Sequence, residues 1–492
     1  MRRSLIRFTA CALALLGLLV GPALPQRALP DAAAGPAASA VATPATVTVD
    51  LAKSRGAFPF TPGGQVGATP QSWRYGASTL ASLQALRPQH TRVWLKFSQA
   101  VDVKTRVTDY PRWYDYLDTY HSRSQRLLVN WQSNYDPLVT GGTWSAADLL
   151  AAERDMLAHY KQRFPKIEYI EVENEDLVDK AGLPAYYAKY RFMYQVVNAV
   201  NALRLGGPAL KVGGPTLDIY SELRLGLFLD AYKADPSPAK RLDFVSYHQY
   251  LINTAPGQDW TATKDNPAVV ATERARVDAM LRARVLPVVP VMVTEIGIFP
   301  RDRESALGFD PDLHIQAAAA ASLHYHYAGQ NGIVPFDWTI DHPENDRKDF
   351  FVSTDTGEAR PYYNVLRMES LLPATRYQAN SDALTARGTG VYGVAAADAR
   401  TVAAMTWNYQ WTAPTSFDAR VVFTNLPAAF RTSNVRVTRY RIAGDTHAGP
   451  LSVAQTFVIG PRTAGTYYGQ TLPLGPNELR LTTLSLTTDP VD

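Results

Sequence analysis

Two stretches of this chain run apolar and then stop on acids. In Ile170-Glu171-Val172-Glu173-Asn174-Glu175-Asp176, four carboxylates crowd into six positions around one Asn. In Val291-Met292-Val293-Thr294-Glu295-Ile296-Gly297, a single Glu follows an apolar approach, 120 positions after Glu175. Two carboxylates that face each other across a sugar can cleave a glycosidic bond with retention. One serves as general acid and base, the other as nucleophile, and they stand about 5–5.5 Å apart. Glu175 and Glu295 are the pair on offer. Like charges crowded beside Glu175 would raise a carboxyl pKa, which suits a general acid. Simple strand alternation would put Glu171, Glu173 and Glu175 on one side and Val172 and Asn174 on the other. A bulge or turn at the strand end must then break that parity.

To bring two such distant residues together, the chain needs a scaffold that gathers strand ends. Short β-branched runs at 64–68, 91–97, 126–131, 167–172, 210–213, 242–248, 288–294 and 332–338 alternate with segments of helical period. The clearest helix carries Tyr186, Tyr190, Met193, Val197 and Val200 at spacings of four and three after Pro184, a core-facing stripe behind a first-turn proline. Eight strand–helix pairs over 47–372 fit an α/β fold, a (β/α)₈ TIM barrel whose strand carboxyl ends surround one mouth. A doubly wound open sheet is the rival, but no Gly-rich dinucleotide loop follows the first strand. No G-x-S-x-G follows a strand either, which argues against a serine nucleophile.

After Pro373 the texture becomes alternating strands without helices. Ala403, Met405, Trp407 and Tyr409 share a face, with Val421, Phe423, Val435, Val437, Leu479 and Leu481 in similar runs. A C-terminal β-sandwich over 373–492 is expected, covering one flank of the barrel, with carbohydrate binding as the alternative role. The early run from Val47 to 52 is a candidate to join it.

Several motifs in this order resemble glycoside hydrolase clan A, most closely family 39. They are Asn174-Glu175 after the fourth strand, Val212-Gly213-Gly214-Pro215 at the fifth, and Ser246-Tyr247-His248-Gln249-Tyr250 at the sixth. Thr294-Glu295 at the seventh, Trp338 at the eighth and a trailing Trp407-Asn408-Tyr409 complete the set. The resemblance spans the chain from about Val47 onward. It implies that Glu175 is the acid and base and Glu295 the nucleophile, with Asn174 on the sugar 2-hydroxyl. It also implies that His248 and Tyr250 stand near the nucleophile, that Arg92 brings positive charge beside it, and that Trp338 forms the floor under the sugar. Asn130 and Trp131, at the end of the third strand, are further candidates. The chain departs from the family where Glu173 and Asp176 flank Asn174-Glu175, since the family commonly has Trp and Pro there. Glu173 is therefore a candidate determinant of specificity. A barrel that binds carbohydrate without turning it over is the alternative to the enzyme.

Composition bounds the rest. With 492 residues, 46% hydrophobic and 19% charged, the chain can bury a large core and is not disordered. Arg2, Arg3 and Arg7 precede an apolar run, the pattern of an export signal over 1–28, followed by an Ala/Pro-rich linker over 29–46. The expected location is secreted or periplasmic, with no membrane contact beyond an uncleaved signal acting as an anchor. The net charge of +4 includes Arg2, Arg3, Arg7 and Arg27 of that segment, so the remainder is near neutral and no nucleic-acid partner follows. Cys11, the one cysteine, also lies there. His324 and His326 sit two apart on an expected helix and point different ways, so no metal is expected. The implied partner is a poly- or oligosaccharide, and no cofactor is called for. Aromatics such as Trp113, Tyr114, Tyr116 and Trp144 are candidates to line an extended cleft, which would favour endo action.

Overall fold

The computed structural model describes residues 42–69, 74–133, 135–251, 263–298, 314–341, 349–411, 415–444 and 448–492. The expected signal, and the linker as far as residue 41, lie outside the described residues.

Eight parallel strands close into a barrel: Gln65–Gly67, His90–Lys96, Arg126–Gln132, Ile167–Val172, Lys211–Leu217, Phe244–Tyr250, Val291–Gly297 and Ile333–Asp337. The last closes on the first through Asp337 opposite Val66. Helices cover the outer face of these strands and the filled barrel interior the inner one, so they read as near-continuous apolar runs, and most positions here are buried. The helix Leu183–Ala202 has Pro184 in its first turn and buries Tyr186, Tyr190, Met193, Val197 and Val200.

Only the fourth strand keeps its expected bounds, and the departures of the fifth and seventh shape the site. The fifth continues to Leu217 rather than stopping at Gly213. The seventh begins at Val291, because Pro287 and Pro290 cannot donate to a ladder and leave Val288 and Val289 outside it. Glu295 therefore lies within a strand, opposite His248, and not beyond its end.

Ten of the remaining strands form one mostly antiparallel sheet, which folds over a core of Val47, Val49, Val391, Phe423, Val437 and Leu484 to make the sandwich, and the other four make two short two-stranded pairs. Its first strand, Thr43–Ala57, runs parallel to Phe417–Thr424 and antiparallel to Thr375–Ser381. That strand starts before Val47, inside the expected linker, because Ala45 is small enough to be buried in the sheet core. The sandwich packs on the helix His314–Ala328, whose Ala317 to Ala321 are all buried. Trp407 of the sheet donates its Nε1 to Ser322 Oγ of that helix at 2.9 Å and stacks on Tyr392. No helix among the described residues is long and apolar enough to cross a membrane.

Candidate active site

The fourth strand ends at Val172, and the next turn is built from left-handed residues. Glu173 and Glu175 have φ of 56° and 55°, a region that L residues seldom occupy. This is the parity break that the acid cluster requires. A bulge in the fifth strand holds the turn: Thr216 is the extra residue between Pro215 and Leu217, and its carbonyl accepts from the Glu175 amide at 2.9 Å. Thr216 Oγ1 also donates to the Val172 carbonyl. Glu171 is thereby left inside the barrel, while Glu175 reaches the mouth.

A second bulge does the same for the seventh strand. Thr294 is the extra residue between Val293 and Glu295, so both of the adjacent side chains Thr294 and Glu295 point inward. Thr294 donates to Glu171 Oε1 at 2.7 Å.

The two glutamates and one imidazole converge. One oxygen each of Glu175 and Glu295 and a ring nitrogen of His248 all lie within 4.8 Å of one another. His248 Nδ1 stands 2.9 Å from Glu175 Oε1 and 3.5 Å from Glu295 Oε2. Tyr250 donates to Glu295 Oε2 at 2.6 Å, and Arg92 to Glu295 Oε1 at 2.8 Å. Burial opposes charge on His248, but Glu295 and then Glu175 outweigh it and raise the imidazole above its ordinary range. Glu175 keeps about a quarter of its side chain exposed, at 27%, against 7% for Glu295, so a bound molecule can reach it.

Arg92 ties the site together. It is fully buried, and its other donors go to Glu171 Oε2 at 2.8 Å and Asn174 Oδ1 at 2.7 Å. Its guanidinium carbon lies 5.2 Å from the Trp94 ring centroid and 5.5 Å from that of Trp338. Burial would raise the Glu171 carboxyl, but Arg92 and then His248, with Thr294 and Asn130 donating, hold it low. Trp338 fits where it does because position 67 is Gly: a Cβ there would come within 2.4 Å of its ring.

Glu175, Glu295, Asn174, His248, Tyr250, Arg92 and Trp338 therefore meet at one mouth. The other candidates lie elsewhere. Asn130 is buried beneath the mouth, donating to Glu171 Oε2 at 3.1 Å and to the Glu173 carbonyl at 2.6 Å. Trp131, the next residue, points the other way by strand alternation and donates to Glu153 Oε2 behind the barrel wall. Glu173 is also turned away: Oε1 accepts from the Ser133 amide at 3.0 Å, and burial pushes its carboxyl up to about 8 against the pull of Lys189. The cleft aromatics fare no better. Trp113, Tyr116 and Trp144 are buried in packing, and Tyr114 stacks on His159, so none supports an extended cleft. Tyr116 nonetheless serves the site by accepting from the Trp94 amide and donating to the Ala68 carbonyl. His324 and His326 do point different ways, the first between Asp337 and Glu369 and the second to Tyr392.

Glu171, Thr294, Trp94 and Gly67 were not among the expected site residues. Alternation carries a signal for Trp94, which falls two places after Arg92 on the same strand.

No protein-family model and no curated protein sequence matches this chain. Solved structures do. A monomeric beta-xylosidase from Caulobacter crescentus CB15 superposes over 90% of this chain and 100% of its own, with a TM-score of 0.67 at 15% identity. The GH39 enzyme from Xanthomonas axonopodis pv. citri covers 91% of this chain and 98% of its own, with a TM-score of 0.67 at 16% identity. The fold is that of glycoside hydrolase family 39. A glucosidase from Croceicoccus marinus shares it over 91% of this chain and 99% of its own, with a TM-score of 0.67 at 14% identity. Both the barrel and the trailing sandwich of the family 39 fold are present.

Proposed function

We propose that this chain is a divergent family 39, clan A glycoside hydrolase that cleaves a poly- or oligosaccharide with net retention. The observation that carries the proposal is the approach of Glu175 and Glu295 to within 4.8 Å across the barrel mouth. Inverting enzymes need about 6.5–9.5 Å between their carboxyls to fit a water, whereas retaining ones need about 5–5.5 Å.

In the first step, Glu175 protonates the leaving-group oxygen while a carboxylate oxygen of Glu295 attacks the anomeric carbon, giving a glycosyl ester. In the second, Glu175 takes a proton from water, which attacks the same carbon and releases Glu295. The residues around the pair support these roles. Tyr250 and Arg92 each hold one oxygen of Glu295 and so fix its orientation. His248 holds its Nδ1 between the two acids, where a proton shared with Glu175 stays at hand. Asn174, fixed through Oδ1 by Arg92, keeps its amide donor for a sugar hydroxyl. Trp338 gives an apolar face to the C–H side of the ring. Every step uses only side chains of the chain itself and water.

The test is incubation with a panel of activated aryl glycosides and mixed polysaccharides, with products read by mass spectrometry. Sugar release that disappears in both Glu175→Gln and Glu295→Gln is expected. Carbohydrate binding without release from any substrate would overturn the enzyme and favour a binding barrel. The same reading makes the protein an exported one, which amino-terminal sequencing of the mature chain from medium or periplasm checks.

A further inference from the structure

A cavity of about 590 Å³ opens at the seam between barrel and sandwich, and no step above uses it. It lies beside the end of the helix His314–Ala328 and residues 329–330, which lead into the amino end of the eighth strand. The mouth that holds Glu175 and Glu295 is at the opposite, carboxyl end of the strands. The cavity exists because Thr375–Ser381 pairs with Gly390–Ala397 only from Thr375 to Tyr377. Beyond that point the two strands part, and Gln378, Asn380 and Val394 line the gap.

Two arginines line this space, and none of the described residues lining it is Asp or Glu. They arrive from adjacent strands: Gly56 pairs with Arg376 and Ser54 with Tyr377, so Arg55 falls between those pairs. Like charges facing one another across a sheet are destabilising unless something neutralises them. Arg55 donates to the neutral Gln378 side chain, and Arg376 to the Ala328 carbonyl at the helix end. Arg376 Nε is buried without a hydrogen-bond partner. Burial, and then the charge on Arg55, weaken the hold of Arg376 on its proton. Around the two cations stand the rings of Phe58, Tyr325 and Tyr377.

Arginine pairs suit a carboxylate, which a guanidinium can hold through two parallel bonds. Flat rings suit the C–H face of a sugar, and side-chain amides suit its hydroxyls. The volume falls in the range of small-molecule sites, roughly 300–1,000 Å³. We propose that this seam cavity binds an anionic sugar unit, its carboxylate between Arg55 and Arg376 and its ring against Phe58, Tyr325 and Tyr377. A polymer held there is held remote from the reacting pair, so the site acts as an anchor and not as part of the catalytic mouth.

The test is isothermal titration calorimetry of the full chain with trigalacturonate, xylotriose and inorganic phosphate. The same titrations are made on Arg55→Gln and on the double variant Arg55→Gln/Arg376→Gln. Arg55 is exposed, so its replacement leaves the fold intact even where loss of Arg376 does not, and the unfolding temperature checks this. Trigalacturonate is expected to bind the unaltered protein, about tenfold more weakly after Arg55→Gln and more weakly still in the double variant. Any xylotriose affinity should stay unchanged in Arg55→Gln. Trigalacturonate binding that ignores both substitutions, or its absence from the unaltered protein, would overturn the proposal. So would phosphate binding as tightly as the sugar, which would leave an anion site without sugar recognition. None of these readouts depends on hydrolysis, so they stand or fall apart from the roles of Glu175 and Glu295.

Discussion

The barrel interior holds two layers built from the same strands with opposite chemistry. The lower is mostly apolar: Leu128, Tyr169, Phe244, Met292 and Phe336 pack together, with the buried His90 ring against Tyr169 and Phe336. Two residues further along four of these strands come Asn130, Glu171, Thr294 and Trp338. Successive side chains alternate between faces, so a step of two returns to the same face and the layers are stacked along the axis. The lower layer stabilises by removing apolar area from water. The upper layer buries Arg92 with Glu171 and reaches up to Glu295, an arrangement that replaces solvation with fixed partners and is seldom a net gain in stability. Its presence there coincides with the mouth where Glu175 and Glu295 meet.

That contrast can be broken most sharply at its rim. Glu295→Ala should lose more activity than the roughly 10²–10⁴-fold that general acid–base catalysis contributes, because the nucleophile itself is gone. Azide should restore part of it and yield a glycosyl azide of inverted configuration. Glu175→Ala, assayed with an activated leaving group, should instead give the azide with configuration retained. Swapped stereochemistry, read by NMR of the products, would sink the assignment of roles.

Removing Arg92 tests the layer beneath. In Arg92→Met, Glu171 is left buried without its cation, and a loss of about 3–5 kcal/mol in unfolding free energy is expected. The pH dependence should invert as well. In the unaltered protein Glu171 is held low, so its contribution is present above the ordinary carboxylate range and is lost as pH falls through that range. Without Arg92, burial dominates and raises the group, so this contribution falls as pH rises. Chemical denaturation between pH 4 and pH 8 separates the two cases, and an unchanged pH slope would refute the pairing. In the lower layer, Leu128→Ala should cost about 2–5 kcal/mol through lost packing and the cavity left behind. Between pH 5 and pH 8 its pH slope should match that of the unaltered protein, since the one titratable ring packed on this layer, His90 against Tyr169 and Phe336, is pushed by burial down to about 4 and stays neutral there.

The barrel could be read from the sequence because parallel strands buried on both faces leave apolar runs, and eight of them leave a count. The proposed catalytic pair stood out in the sequence because acids at the ends of such runs have no packing role to explain them. What escaped was set by single-residue irregularities. The bulge at Thr294 turns two neighbouring side chains inward and the one at Thr216 holds the turn that carries Glu175, and neither residue type announces a bulge. Trp131 was misassigned for the reverse reason: alternation does hold at the end of the third strand, so if Asn130 faces in, Trp131 must face out. Glu173 sits one place before Asn174 in sequence, yet its left-handed backbone turns the side chain toward Ser133. The trailing sandwich was visible as alternation, and the run 47–52 as a candidate to join it, but which strands Thr43–Ala57 pairs with depends on contacts across more than 300 residues. No local pattern encodes that.

Glu173 provides the finest discrimination, because it is a buried acid that belongs to neither layer. Burial raises its carboxyl to about 8, with Asp176 and Glu153 adding to the effect and Lys189 opposing it. A carboxyl raised in the folded state keeps a proton that the unfolded chain releases. Its contribution is therefore complete below the ordinary carboxylate pKa of about 4.3 and declines as pH rises toward 8, by at most about 1.4 kcal/mol per pH unit. Glu173→Gln keeps the shape and the acceptor for the Ser133 amide but removes the titration. The variant should match the unaltered protein near pH 4 and become progressively more stable relative to it up to pH 8, as read from denaturant midpoints. Glu153, raised by burial to about 7 beside Ser133 and Trp131, titrates in the same direction and is coupled to Glu173, so the same comparison made in a Glu153→Gln background isolates the Glu173 contribution. With Glu173 turned away from the mouth, Glu173→Gln should also leave the preference among aryl glycosides unchanged. Parallel stability curves would show that Glu173 is charged in the folded chain. A change in sugar preference would return it to the specificity role that its place beside Asn174 first suggested.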